Sequence, residues 1–475
     1  MKSKILMLLL GLSLFSYAQE NDSLLVPIDS VAFDVPVVDS IEVIFSGNDL
    51  QNATAIRTFF EKLYQLEQTK QGKINIVHIG DSHIQADLFT AKIRSQFQNV
   101  YGNGGFGFTF PYSVAKTNNS APIRYSASGS FQSYRNLYAD SSKPVGLSGF
   151  SMETKSADFA IQLMVKDAQF NFTKLKVITP QNANLFDLSV SNKSIVVERK
   201  VPKKITHKVK PGEVLGGIAN RYNVSLKALK KANGLKSDMI RDGKILTIPT
   251  KGTQSKTTTK TEYIPIDLQS TPFSNDYSSE KPLDKIALVP NQQINEFALN
   301  GLVLENDNSG VIYHCIGVNG SKASDYNKFP LFYDQLPALN PDLVIISLGT
   351  NESFDKQSGE QYYEHLDKMI VSIKEKNPQT AVLVMTSPPS ILHRKYTNTF
   401  IEDYSAKIKE KSIEKQYAVW DLLYILGGNK AIYRNAAKGY MARDKVHYSK
   451  AGYEKQAELF FEAFVQSYEL FKSTK

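Results

Sequence analysis

Five residues of this 475-residue chain have the types needed for acyl chemistry on a serine: Ser82, Gly320, Asn351, Asp444 and His447. A serine hydroxyl is a poor nucleophile at neutral pH and needs an imidazole within hydrogen-bond reach to take its proton. The imidazole in turn needs a partner that fixes its tautomer and stabilises the imidazolium. Asp444 and His447, spaced Asp-x-x-His in RDKVHYSKAGY, can supply acid and base from one loop. A tetrahedral oxyanion needs donors already aimed at it. The amides of Ser82 and Gly320 and the side-chain amide of Asn351 can fill that role.

These residues are far apart in sequence, so the elements that carry them must bring them together. Ser82 follows the apolar run INIVHI and the turn Gly80-Asp81, which places its hydroxyl at the carboxyl end of a strand. Gly-Asp-Ser alone is ordinary turn chemistry. GVIYHCIGVNG reads as a second strand ending near Gly320, and LVIISLGTNES as a third ending at Asn351. AVLVMTSPP and Tyr417 to Leu422 read as two more. Helical spacing marks Asp49 to Lys70, His83 to Val100 (Ile84, Leu88, Ile93 and Phe97 inward), Glu360 to Lys376, Phe400 to Lys415 and Lys450 to Phe471. Five strands with helices between them predict a parallel sheet covered on both faces. Parallel strands present their carboxyl ends to one edge, where open α/β sheets hold ligands. The glycine-rich YGNGGFGFTF (101–110) lacks the Gly-Lys-Ser/Thr ending of a phosphate loop and reads as a tight loop near the site.

The ordered blocks GDS, GVNGS, GTNE and DKVH resemble the SGNH (GDSL) hydrolase superfamily over about residues 50–115 and 310–475. The resemblance implies Ser82 as nucleophile, Asp444 as orienter, His447 as base, and Ser82, Gly320 and Asn351 as the oxyanion hole. Glu352 stands where the family most often has Asp, and can shape the site or begin a helix. Other polar residues have plainer readings. Asp81 stabilises the turn, His78 is a satisfied core histidine, His83 packs or hydrogen-bonds near the site without being the base, and His207 and His314 are structural or surface residues. Cys315 is a small buried residue, and no cluster has metal-ligand spacing.

Between Pro122 and Glu305 the pattern changes to short alternating runs, among them FAIQLMV, FNFTKLKVI, KIALVP and NEFALNGLVLE, the signature of an all-β sandwich. His207 to Pro249 interrupts it. A short strand at Lys208-Val209, helices Val214–Tyr222 and Ser225–Ala232 (Ser225 as cap) and a strand Ile245–Ile248 make a βααβ unit. Its VKPGE opening, Tyr222-Asn223-Val224-Ser225, Asn233-Gly234 and Gly243-to-Pro249 ending resemble a LysM module, apart from Gly216-Gly217, where members often carry larger residues. That likeness implies binding to N-acetylglucosamine-containing glycans such as peptidoglycan. The flanks, Arg199–Lys204 and Gly252–Lys260, read as tethers. A sandwich between the first two SGNH blocks resembles the peptidoglycan O-acetylesterases.

The expected fold class is α/β: a three-layer α/β/α SGNH (flavodoxin-like) parallel sheet with an inserted all-β sandwich that carries a βααβ LysM module. The expected divisions are a signal peptide (1–18), an N-terminal extension (19–48), a first hydrolase segment (49–120), the carbohydrate-binding-like sandwich (121–309, LysM at 206–249) and a second hydrolase segment (310–475). Lys2, Lys4, the short apolar run Ile5–Phe15 and Ser16-Tyr17-Ala18 have the form of a cleavable export signal, too short to span a membrane. With one cysteine no intramolecular disulfide can form, so an exported chain relies on its cores. The composition, 42% hydrophobic and 22% charged, excludes a disordered protein. The net charge of +9 is unevenly spread, with Arg199–Lys260 rich in lysine; such an excess can favour an anionic polymer, but the first reading here is a solvated surface, since export removes most nucleic acid from contention. The expectation is therefore a cofactor-free esterase of the periplasm or cell envelope, with no transmembrane segment in the mature chain. It would remove O-acetyl groups from peptidoglycan or another N-acetylglucosamine-containing glycan. Acetyl transfer, another acetylated polysaccharide, and a non-catalytic wall-binding scaffold remain open alternatives.

Overall fold

The computed structural model describes residues 47–475 apart from 139, 204 and 251, so the expected signal peptide lies outside the described residues. Six strands form one parallel sheet: β1 (Lys73–Gly80), β2 (Asn103–Gly105), β3 (Gly310–Gly317), β4 (Leu343–Ser347), β5 (Ala381–Met385) and β6 (Ala418–Trp420). Their order is β2-β3-β1-β4-β5-β6. β1 is central, with Gly80 level with Gly317 on one side and Ser347 on the other. The strands after which Ser82, Gly320 and Asn351 stand are thus immediate neighbours.

Alternation along the strands divides the apolar residues between two cores. Ile74, Ile76, Val311, Tyr313, Leu343 and Ile345 face one way. There they meet α1 (Arg57–Thr69), α2 (Leu88–Tyr101) and α5 (Lys450–Lys472). Phe464 of α5 packs edge-on against Phe60 at 5.6 Å and Phe97 at 4.7 Å. Val77, Ile79, Ile316, Val344 and Ile346 face the other way, toward α3 (Gly359–Lys376) and α4 (Phe400–Lys415). Helices on both faces of a parallel sheet are the α/β class expected from the sequence.

Antiparallel sheets follow between residues 107 and 305. A five-stranded sheet runs through Phe172–Ile178 and Gly301–Glu305, and a four-stranded one through Ala160–Val165 and Lys285–Pro290, beside a smaller three-stranded sheet. Phe159, Leu163, Leu175, Val177, Leu288 and Phe297 belong to a core continuous with the Val77–Ile79 face of the parallel sheet.

Four readings of the sequence are corrected. YGNGGFGFTF is not a loop near the site: Asn103–Gly105 adds the sixth strand, and Gly107–Thr109 pairs antiparallel with Leu302–Leu304. This stretch passes between two sheets, which its glycines allow where a Cβ would strike backbone, as at Gly105 against Glu305 Cα (2.6 Å). The helix after Ser82 is broken into Ser82–Gln85 and α2 by Asp87, whose φ is 51°. The break changes the helical phase, so Leu88 is 37% exposed rather than inward. Finally, the flanks of the βααβ unit are not tethers. They belong to two 11-residue strands, Asn192–Pro202 and Thr253–Tyr263, paired antiparallel along their whole length. The unit at the end of this ribbon has helices Leu215–Arg221 and Leu226–Ala232, the second capped by Ser225 Oγ, and its own small core around Leu215, Ile218, Leu229 and Leu246.

Candidate active site

The turn from β1 leaves no room for a side chain at Gly80. A Cβ there would lie 2.3 Å from Ile84 Cγ1 and 2.7 Å from the Ser347 carbonyl. Asp81 then caps the one-turn helix, its carboxylate accepting the His83 amide at 2.9 Å. This leaves Ser82 at the first helical position.

Ser82 Oγ lies 2.9 Å from His447 Nε2, and His447 Nδ1 lies 2.8 Å from Asp444 Oδ2. Asp444 Oδ1 also accepts the amides of Val446 and His447, at 3.0 Å each. Partial burial works to raise the Asp444 carboxyl, but these hydrogen bonds outweigh it and hold the group below its ordinary range. Asp444 is thus a carboxylate at neutral pH, fixed by its own loop and aimed at the far nitrogen of the imidazole.

Gly320 and Asn351 border the same cleft of about 640 Å³ as Ser82, Asp444 and His447. Gly320 has φ +86°, and a Cβ there would approach Leu137 Cδ2 at 3.1 Å. Asn351 Nδ2 donates to Asp81 Oδ2 at 3.1 Å and to the Ser321 carbonyl at 3.0 Å. The structure therefore brings all five residues singled out by their chemistry to one edge of the sheet.

Two buried acids stand behind this edge. Burial pushes the Asp81 carboxyl up to about 7, against the lowering effect of the His83 amide and of His447. Burial pushes Glu352 up to about 8, opposed by the Ala323 amide, which donates to Oε1 at 2.8 Å. Glu352 Oε2 is buried with no hydrogen-bond partner. Asp81 is thus more than a turn residue: it grips the Asn351 amide, a role that only the fold reveals. Its signal in the sequence was adjacency to Ser82, which turn chemistry explained equally well.

Four histidines outside the Ser82–His447 pair are structural. His78 bonds Tyr313 Oη and Ser347 Oγ, each at 2.7 Å. His314 bonds Asn75 and the Phe108 amide, and His207 bonds Tyr222 and Glu213. His83 bonds Tyr453 Oη at 2.8 Å and packs its ring 5.2 Å from that of His447. Burial drives His78, His83 and His314 down to about 3, so all three are neutral at physiological pH. The Cys315 thiol is buried and raised by desolvation, the opposite of an activated nucleophile. Other residues of the cleft wall escaped sequence reasoning: Leu88, Asn118, Asn319, Phe354, Val446 and Tyr453. Asn319, Val446 and Tyr453 stand inside the quoted blocks without having the types that do acyl chemistry, and Leu88, Asn118 and Phe354 join them only through folding.

Comparison with known proteins matches two parts of the chain. The GDSL-like lipase/acylhydrolase family matches residues 298–455, and the LysM domain matches residues 207–249. The first span contains Gly320, Asn351, Asp444 and His447 but not Ser82, which the fold delivers from β1. A protein of Bacillus subtilis (strain 168) named "Probable peptidoglycan endopeptidase LytE" is 46% identical over 50 residues. That match covers 10% of this chain, and the chain spans only 14% of that relative's length. A solved structure of a peptidoglycan O-acetylesterase superposes with a TM-score of 0.60 at 19% identity, covering 89% of this chain and 98% of its own. At that identity the likeness establishes the fold. The chain carries a GDSL-like lipase/acylhydrolase domain together with a LysM domain.

Proposed function

We propose that this protein is an exported serine esterase that removes O-acetyl groups from a cell-wall glycan, peptidoglycan in particular. The observation that carries the reading is the line Ser82 Oγ to His447 Nε2 to Asp444 at the edge of an open cleft. In this mechanism Ser82 Oγ attacks the acetyl carbonyl while His447 Nε2 takes its proton. Asp444 stabilises the imidazolium. The amides of Ser82 and Gly320 and the Asn351 side chain receive the oxyanion, Asn351 sharing a donor now given to Asp81 or Ser321. The C–O bond to the sugar breaks, and His447 returns the proton to the leaving hydroxyl. A water deprotonated by His447 then cleaves the acetyl-serine and releases acetate.

The substrate class rests on different support. A LysM domain suits N-acetylglucosamine polymers, and the proteins this chain resembles are named for peptidoglycan. Both favour work outside the cytoplasm, as the leader-like first 18 residues do. Among the described residues no helix is long and apolar enough to cross a membrane. Tethering by the LysM module would raise the local concentration of the site on its polymer. The test is acetate release from O-acetylated peptidoglycan by wild type, Ser82→Ala and Asn351→Ala. Ser82→Ala should release none above background. Asn351→Ala should lose about 10²–10³ in kcat with KM little changed, the size of one oxyanion donor. Undiminished release by Ser82→Ala would overturn the mechanism.

A further inference from the structure

A hairpin and loop next to the cleft carry a group of cations that the acyl chemistry does not use. Ile391–Leu392 and Tyr396–Thr397 form a small antiparallel hairpin, with Leu392 opposite Tyr396. Its tip holds His393 at φ 48° and Arg394 at φ 63°, closed by the Lys395 amide donating to the Leu392 carbonyl at 3.0 Å. Two successive left-handed residues define a type I′ turn, which Asn-Gly makes at least strain. Here the positions carry His and Arg, followed by Lys, all exposed.

The hairpin is fastened to the site at two points. The Ile391 amide donates to the Lys445 carbonyl at 3.1 Å, inside the loop that carries Asp444 and His447. The His393 ring meets Phe354 edge-on at 6.0 Å, and Phe354 lines the cleft beside Asn351. Arg443 and Lys445 flank Asp444 on the same loop. Lys322, near the same edge, is neutralised by its pair with Asp355. By contrast, among the described residues no carboxylate forms an ion pair with Arg394, Lys395, Arg443 or Lys445. Lys395 and Lys445 instead lie over the rings of Tyr396 and Tyr433.

We propose that Arg394 and Lys395 at the hairpin tip, with Arg443 and Lys445 on the adjoining loop, form a cationic subsite that receives carboxylates of the polymer whose acetyl esters enter the cleft. The subsite rests on the reading of the cleft as a glycan esterase and narrows its substrate to a carboxylate-bearing one. The peptide stems of peptidoglycan carry free carboxylates, whereas a neutral acetylated glycan offers none. Unpaired cations on a rim act mainly on encounter and register, and their effect is screened by salt. The hairpin holds them on a short, bonded frame rather than on a free loop, so they select a position along the strand as well as a charge.

The test measures kcat/KM for acetate release from O-acetylated peptidoglycan, as a ratio to that for p-nitrophenyl acetate, in the full chain. The Arg394→Glu/Lys395→Glu variant should lower this ratio roughly tenfold at low salt, with the gap closing as salt rises. Peptidoglycan whose carboxylates have been converted to amides should lower the wild-type ratio by a similar factor and leave the variant little further to lose. An unchanged ratio in the variant, or equal wild-type activity on native and amidated polymer, overturns the subsite. Because each ratio is internal to one preparation, partial misfolding cancels. If wild type released no acetate from native peptidoglycan at all, the esterase reading itself would fail, a separate result.

Discussion

Ser82 and His447 perform the proposed proton transfer, but the unusual chemistry lies one layer behind them, at Asp81 and Glu352. Both are carboxyls in a place that disfavours charge, and the Asp81 charge raises Glu352 further. A carboxyl held up to about 8 in the folded state, against an ordinary 4.5, favours folding most when protonated. That contribution is complete below about pH 4.5 and is lost as pH rises through about 8. Glu352→Gln cannot ionise and keeps an oxygen for the Ala323 amide, so its stability should fall less between pH 5 and pH 9, by roughly a few kcal/mol. Urea unfolding across that range checks the point; parallel curves for wild type and variant would refute it. Asp81, pushed up to about 7, adds a slope of the same sign.

Among the elements, the turn from β1 into Ser82–Gln85 decides whether the serine meets its base. Gly80 is closed in on two sides, by Ile84 and by the Ser347 carbonyl on β4. Gly80→Ala must push the one-turn helix away from β4 or bend β1. Forcing a methyl into a packed site typically costs about 1–3 kcal/mol. The 2.9 Å reach from Ser82 to His447 comes from different elements and would not survive such a shift. The expected result is a lowered melting temperature together with a fall in kcat on a soluble acetyl ester. A variant with wild-type kcat would show that this turn has slack. The ribbon Asn192–Pro202/Thr253–Tyr263 is an element of another kind, a paired stalk that sets how far the LysM module stands from the sheets.

Over the whole molecule, the antiparallel sheets and the parallel sheet act as one body. Gln335 donates to Asn300 Oδ1 at 2.9 Å and accepts the Leu147 amide at 2.8 Å. Ser321, next to Gly320, donates to Asn136 Oδ1 at 2.7 Å. The β region therefore braces the oxyanion loop rather than merely accompanying it. The LysM module differs, with a small core of its own at the end of the ribbon. Replacing residues 205–250 by an Asn-Gly turn should shift the melting transition of the rest by no more than about 2–4 °C. The shortened chain should sediment less with insoluble peptidoglycan. Equal sedimentation would show that the cleft and its rim, not the module, hold the polymer.

Much of this protein was legible in one dimension because its signals are local. Strand runs with period two, helices with period 3.6, the Ser225 cap and the βααβ unit each depend on neighbours within a few residues. Ser82, Gly320, Asn351, Asp444 and His447 could be named because each stands in a short motif at a strand end or in one loop, and parallel strands share an edge. Where local signals were ambiguous, packing decided. The glycines of 101–110 looked like a loop until two sheets claimed three residues each as strands. The polar, lysine-rich flanks of the LysM module read as tethers in sequence, whereas in the fold they pair with one another. The grip of Asp81 on Asn351, the buried Glu352 behind it and the joining of the cationic hairpin to the loop of Asp444 and His447 depend on distances between residues remote in sequence. Burial and long-range contact create those properties, so only the tertiary structure could decide them.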